Sequence, residues 1–154
     1  MKVLVTGSRG KVGRAAVEAL VAAGHDVTGV DLVRPVFDAG VVVPGRYVMA
    51  DLTDQGDAFA VVAGMDAVVH VAAIPQPTGN PAHVVLQTNL MSTFHLIEAA
   101  VRFGVPRFVN ISSESIVGNF FPSGRSCRTT RPSTRSTRCT RRIRTRSRRR
   151  SASS

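Results

Sequence analysis

The sequence predicts an α/β fold, a doubly wound parallel sheet of five strands in the order 3-2-1-4-5, followed by a disordered basic tail. Three observations lead there. Short and almost uninterrupted apolar runs, such as "KVLVT", "MDAVVHVAA" and "PRFVNIS", alternate with stretches of helical periodicity between Lys2 and Ile111. Runs of that kind fit strands covered on both faces, because a strand with one wet face would alternate apolar and polar residues. A glycine-rich turn joins the first run to the first helical stretch, and repeated β-α-β order implies right-handed crossovers within one sheet.

Each element has its own justification. Lys2 to Thr6 is the first strand. A helix follows from about Lys11 to Ala23, with Val12, Ala15, Ala16, Ala19, Leu20 and Ala23 on its apolar face and Gly24 as its stop. "HDVTGVD" is the second strand and "RYVMADL" the third. Val33 to Pro44, a mixture of Val, Gly and Pro, supports no helix. Asp54 to Val62 suits a short helix capped by Asp51 or Thr53. After the fourth strand, "MDAVVHVAA", a long helix runs from about Pro81 to Phe103, with Asn80 as N-cap, proline at its first position and Gly104 beyond its end. "PRFVNIS" is the fifth strand.

Charge divides the chain into two unlike parts, residues 1–122 and 123–154. Twelve of the 20 basic residues are arginines at positions 125–154, where no acidic residue occurs, so the formal +10 belongs to the tail alone. Those thirty residues are mostly Arg, Ser and Thr, with Ile143 their one large aliphatic. Such a segment cannot bury enough apolar surface to offset its conformational entropy, which predicts disorder. Cys127 and Cys139 lie there with no His nearby, a poor match to the paired ligand spacings of a zinc site, so no metal is expected. The apolar run at the N-terminus is too short for a signal peptide, and no run reaches membrane-spanning length, so the expected location is cytoplasmic.

"VLVTGSRGKVGRAAVEAL" places Gly7, Gly10 and Gly13 between the first strand and its helix. In a dinucleotide-binding Rossmann fold the first glycine permits a tight turn, the second lets backbone approach a pyrophosphate, and the third lets helix pack on strand. The anion then rests on free N–H groups at the positive end of the helix. Arg9 and Val12 belong to the same turn and complete this predicted cofactor contact. Asp31, eighteen residues beyond Gly13 at the end of the second strand, is placed to accept hydrogen bonds from an adenosine ribose, which favours NAD. Arg9 and Arg34 stand where they could instead meet a 2′-phosphate, which keeps NADP as the alternative.

"TGSRGKVG", "ADLTD", "VVHVAA", "TNLMSTFHLIEAA" and "FVNISSESIVGN" occur in an order that resembles the extended short-chain dehydrogenases/reductases, the group of NAD-dependent sugar-nucleotide epimerases and dehydratases. The resemblance spans residues 1 to about 122. It implies that Asp51 and Leu52 border the adenine, that Ala72 and Ala73 pass beneath the cofactor, and that Asn89 braces the active site. His70, a lone histidine at a strand end, is expected to be structurally satisfied. The resemblance makes Ser113 the catalytic hydroxyl, holding a substrate oxygen near the nicotinamide, and departs from the family at Val117, where Tyr is common. It further implies a small sugar-like substrate and a homodimer packed through helices that include the one at Pro81 to Phe103.

In that family the reaction needs a Tyr-x-x-x-Lys pair on the next helix, with Tyr moving a proton and Lys lowering its pKa. Here the one tyrosine is Tyr47 and the lysines are Lys2 and Lys11, so the pair is absent and the chain as given is expected to be inactive. The break falls where the pair is due. Reading the codons of Arg131 to Arg149 one base out of phase can yield "PVDEEHPVHPQDPYALSK", which contains the motif. An out-of-frame tail is therefore one reading. A nucleic-acid-binding arm is another, since twelve arginines would hold phosphates non-specifically, although no aromatics interleave them to stack bases. A small nucleotide-binding module without redox chemistry is the third.

Overall fold

A computed structural model of the protein describes residues 1–32, 44–75 and 79–113. The chain divides into two units, Met1–Ile111 and Ser112–Ser154. Of the second, the described residues are Ser112 and Ser113, both exposed. The expected boundary at 122/123, the disordered tail, Arg34, Val117 and nearly all of the Val33 to Pro44 stretch lie outside the described residues.

In the first unit the order of elements is β1 (Lys2–Thr6), α1 (Lys11–Ala22), β2 (Asp26–Asp31), β3 (Arg46–Met49), α2 (Gln55–Val62), β4 (Ala67–His70), α3 (Ala82–Arg102) and β5 (Arg107–Asn110). The strands form one sheet, β3-β2-β1-β4-β5, with every neighbouring pair parallel. This is the predicted order. β1 is bonded on both sides, and its alternating side chains enter two cores. Val3 and Val5 pack with Val27, Ala67 and Val17 of α1. Leu4 faces the other way, with Val30, Val68, Ala58 and Val62 of α2, and Leu96 and Ala99 of α3. Apolar packing on both faces explains why these strands read as continuous apolar runs.

Three local expectations are corrected. The face of α1 turned to the sheet is Gly13, Ala16, Val17, Leu20 and Val21, not the expected set that included Val12, Ala15, Ala19 and Ala23, all exposed. Gly13 packs against the preceding turn, and the buried face of the helix lies about one residue round from the one that side-chain hydrophobicity would choose. The cap of α2 is Asp54, whose side chain accepts from the Asp57 N–H; Asp51 and Thr53 bond each other instead. Pro81, not Asn80, occupies the N-cap of α3, in extended conformation and with no side-chain cap bond. The predicted stops are observed. Gly24 donates to the Val21 carbonyl while His25 donates to Leu20, and Gly104 and Val105 repeat the pattern on Val101 and Ala100.

The strand order reverses at β1, between β2 on one side and β4 on the other. In open α/β sheets this reversal opens a crevice beyond the carboxyl ends of the strands.

Candidate functional site

A cleft of about 310 Å3 lies at that position. Of the residues expected at a cofactor site it is lined by Gly7, Gly10, Asp31, Asp51, Leu52, Ala72 and Ala73. Leu32, Ala50, Thr53, Ile74, Thr88 and Ser92 also line it, and the sequence had not marked them.

The three glycines serve different purposes. Gly7 has φ +65°, and a Cβ there would sit 2.8 Å from the Ala72 backbone, so both the turn and the close approach of β1 to the β4 exit require glycine. A Cβ on Gly13 would fall 2.0 Å from the Gly7 carbonyl oxygen, a distance no packing relieves. Gly10 differs: its φ of −72° suits any residue, and its one close neighbour is the Gly7 carbonyl at 3.3 Å. It lines the cleft at the N-cap of α1, where no side chain caps the helix and no acid occupies the first turn. The helix therefore presents uncompensated N–H groups there. Val12, in the first turn of the same helix, is exposed.

Asp31 ends β2 with its carboxylate fixed by two backbone donors, the Arg9 N–H at 3.0 Å to Oδ2 and the Leu32 N–H at 2.8 Å to Oδ1. Each carboxylate oxygen retains acceptor capacity. The Arg9 guanidinium lies over the Tyr47 ring, 5.5 Å from its centroid, and the Tyr47 hydroxyl donates to the Asp31 carbonyl at 3.2 Å. Burial and the nearby Asp31 charge raise the Tyr47 pKa.

Beneath the cleft a chain of side chains joins β1, β4 and α3. Thr6 Oγ1 accepts from the N–H groups of Val71 and Ala72, both at 3.1 Å. Its own proton therefore goes to His70 Nδ1, at 2.7 Å. At the other end the Thr93 hydroxyl donates to the Asn89 carbonyl at 2.8 Å, which leaves it to accept from His70 Nε2, at 3.1 Å. Proton counting thus makes His70 a neutral Nε2–H imidazole, in keeping with burial that lowers its pKa to about 4. His70 is structurally satisfied, as its position suggested. Asn89 completes the brace: its Oδ1 accepts from Ile74 N–H at 2.7 Å, and its Nδ2 donates to the Ile74 carbonyl at 3.2 Å. The loop from Val71 to Ile74, one wall of the cleft, is held at both ends. Thr6 and Thr93 were missed because a threonine in an apolar strand or helix reads as neutral filler.

On the opposite wall the Asp51 carboxylate accepts from the N–H and hydroxyl of Thr53, while its own N–H donates to Asp57. Leu52 is buried, and its carbonyl accepts from Nδ1 of buried His95 at 3.2 Å. Ser113 belongs to the second unit. Among the described residues no group of His, Cys, Asp and Glu could hold a metal, and no helix is long and apolar enough to cross a membrane.

Known proteins are similar to this chain in sequence and fold. A dTDP-glucose 4,6-dehydratase from Streptomyces niveus is 35% identical over 139 residues, covering 80% of this chain and 41% of that protein. Among solved structures, uronate dehydrogenase from Agrobacterium tumefaciens, as a variant complexed with NAD, matches with a TM-score of 0.61 and 34% identity over 73% of this chain and 40% of that one. A UDP-galactose 4-epimerase matches with a TM-score of 0.66 and 30% identity, over 78% and 41%. The chain therefore spans about two fifths of the length of these relatives. The family model for the NAD dependent epimerase/dehydratase family matches residues 3–139, and with its sheet order, glycine turn and braced cleft, the chain belongs to that family.

Proposed function

We propose that the Met1–Ile111 unit binds NAD through its adenosine and pyrophosphate, in a protein whose parent reaction acts on a sugar-like hydroxyl. The observation that carries this is the difference between Gly10 and its two neighbours. Gly7 and Gly13 are glycines for the sake of the chain's own packing, whereas Gly10 has an ordinary φ, would press only on the Gly7 carbonyl, and stands at the mouth of an uncapped helix, where an incoming anion needs close approach to the backbone. Arg9 and Val12 belong to that turn, Asp31 would take the ribose hydroxyls, Asp51 and Leu52 would flank the adenine, and Ala72 and Ala73, positioned by Thr6 and Asn89, would underlie the cofactor.

NAD, when bound, supplies a hydride acceptor for a substrate hydroxyl. Relatives named for dTDP-glucose, uronate and UDP-galactose support a sugar as the substrate class. In this reading the Ser113 hydroxyl hydrogen-bonds the reacting oxygen. Lys2, Lys11 and Tyr47 cannot supply a Tyr-x-x-x-Lys pair, so this chain binds without turnover. Titration calorimetry at a salt concentration that suppresses phosphate binding by the arginines tests the binding. Wild type is expected to release heat with NAD and the Asp31→Ala, Gly10→Val double variant none; no heat from wild type refutes the proposal.

A further inference from the structure

We propose that Tyr47 determines which adenosine the cleft accepts, by holding the Arg9 guanidinium on its ring and so keeping the Asp31 carboxylate open. The proposal rests on reading the cleft as an adenosine site, and it deepens that reading. Because the Arg9 backbone N–H already holds the Asp31 carboxylate, the guanidinium of the same residue would ordinarily be free to form a forked pair with it and occupy both oxygens. Among the described residues Arg9 makes no ion pair with Asp31 and lies instead on the Tyr47 face at 5.5 Å. A half-exposed ion pair and a cation–π contact are similar in strength, so one well-placed ring is enough to decide where the cation rests. The Tyr47 hydroxyl adds a second restraint, because it donates to the Asp31 carbonyl at 3.2 Å and fixes ring and strand end together.

With the ring in place, Asp31 meets the ribose with both oxygens oriented by backbone N–H groups alone and with lone pairs to spare. Without it, Arg9 has two destinations. It can pair with Asp31, which removes the acceptors a ribose diol needs, or it can meet a 2′-phosphate, which Asp31 otherwise repels. Both outcomes reduce the preference for unphosphorylated ribose. Tyr47 is thus a positioning residue for cofactor selectivity, acting through Arg9.

The test uses ADP-ribose and its 2′-phosphorylated counterpart, which need no nicotinamide subsite, titrated into the full chain. The ratio of their dissociation constants is the readout. Tyr47→Leu should cut the preference for ADP-ribose by about two- to five-fold, the worth of an exposed cation–π contact, and Tyr47→Phe, which keeps the ring, should restore it. In an Arg9→Ala background the Tyr47→Leu effect should vanish. An unchanged ratio in Tyr47→Leu, or an equal change with and without Arg9, overturns the proposal while leaving the adenosine site intact. If wild type binds neither ligand, the site reading and the proposal both fall. Should Tyr47→Leu not fold, wild type still decides: Arg9 side-chain protons, assigned by their loss in Arg9→Ala, are expected upfield under the ring current, and random-coil positions for them overturn the proposal.

Discussion

His70 is buried between two threonine hydroxyls whose protons are already committed, so an added proton at Nδ1 would face the Thr6 O–H that now donates to it. Its pKa is accordingly lowered from 6.5 to about 4 by desolvation. The unfolded chain then binds a proton between pH 6.5 and 4 that the folded chain refuses, so stability present above 6.5 is lost as pH falls through that window, by up to about 3 kcal/mol. Urea melts at pH 7 and pH 5 should show this loss in wild type and a shallower one in His70→Asn. Ser8 offers an opposite case. Its hydroxyl is fully buried with no hydrogen-bond partner among the described residues, and a buried polar group in that state costs stability. Ser8→Ala is expected to leave the unfolding free energy from urea melts unchanged or raise it by about 1 kcal/mol; a loss of similar size would show that the hydroxyl has a partner in solution. The sequence suggested that His70 is satisfied but not by which partners, and it gave no sign of the buried Ser8 hydroxyl, because strand order alone does not fix the side-chain register that brings Thr6 and Thr93 to His70. Gly7 and Gly13 were legible because the strand-turn-helix packing demands glycine there, and Asp31 because it ends an apolar strand.

At the scale of elements the strands were read correctly and the helix details were not. Strand runs declare themselves through apolar content, which parallel burial makes continuous. Helix caps in "ADLTDQGD" compete among three adjacent acceptors, and only the turn geometry selects Asp54. Asp54→Ala should cost about 1 kcal/mol, whereas Thr53→Ala, which leaves that cap in place, should cost less; equal losses would put the cap elsewhere. The face of α1 was misread because glycine carries no hydrophobicity, yet Gly13 is the contact point. Gly13→Ala, whose Cβ would fall 2.0 Å from the Gly7 oxygen, should disrupt the turn as well as the helix, and is expected to abolish soluble expression where Gly10→Ala does not. α3 leaves Leu86, Leu90, Phe94 and Val101 exposed at helical spacing, a face that fits the homodimer the family resemblance implies. Light scattering should then give twice the chain mass, and half that for a Leu90→Glu, Phe94→Glu variant; a wild-type monomer would dispose of the dimer.

For the whole molecule the question is what the arginine-rich end contributes. If it is catalytic sequence out of phase, resequencing the gene across the codons for Pro122 to Arg131 should reveal an insertion or deletion. An unbroken frame, together with salt-sensitive RNA or DNA binding that disappears on deleting residues 125–154, would establish the arm instead. β5 closes one side of the described sheet with Val109 and Ile111 exposed, and such an edge invites association. Twelve arginines also attract any phosphate, so bound NAD alone does not prove a specific cleft. The deciding measurement is amide shift mapping of the full chain by NMR during NAD titration. Saturable shifts at Gly10 to Gly13, Leu32, Ala72 and Ile74 are expected, lost in the Asp31→Ala, Gly10→Val variant. Shifts confined to residues 125–154, fading with added salt, would contradict the site.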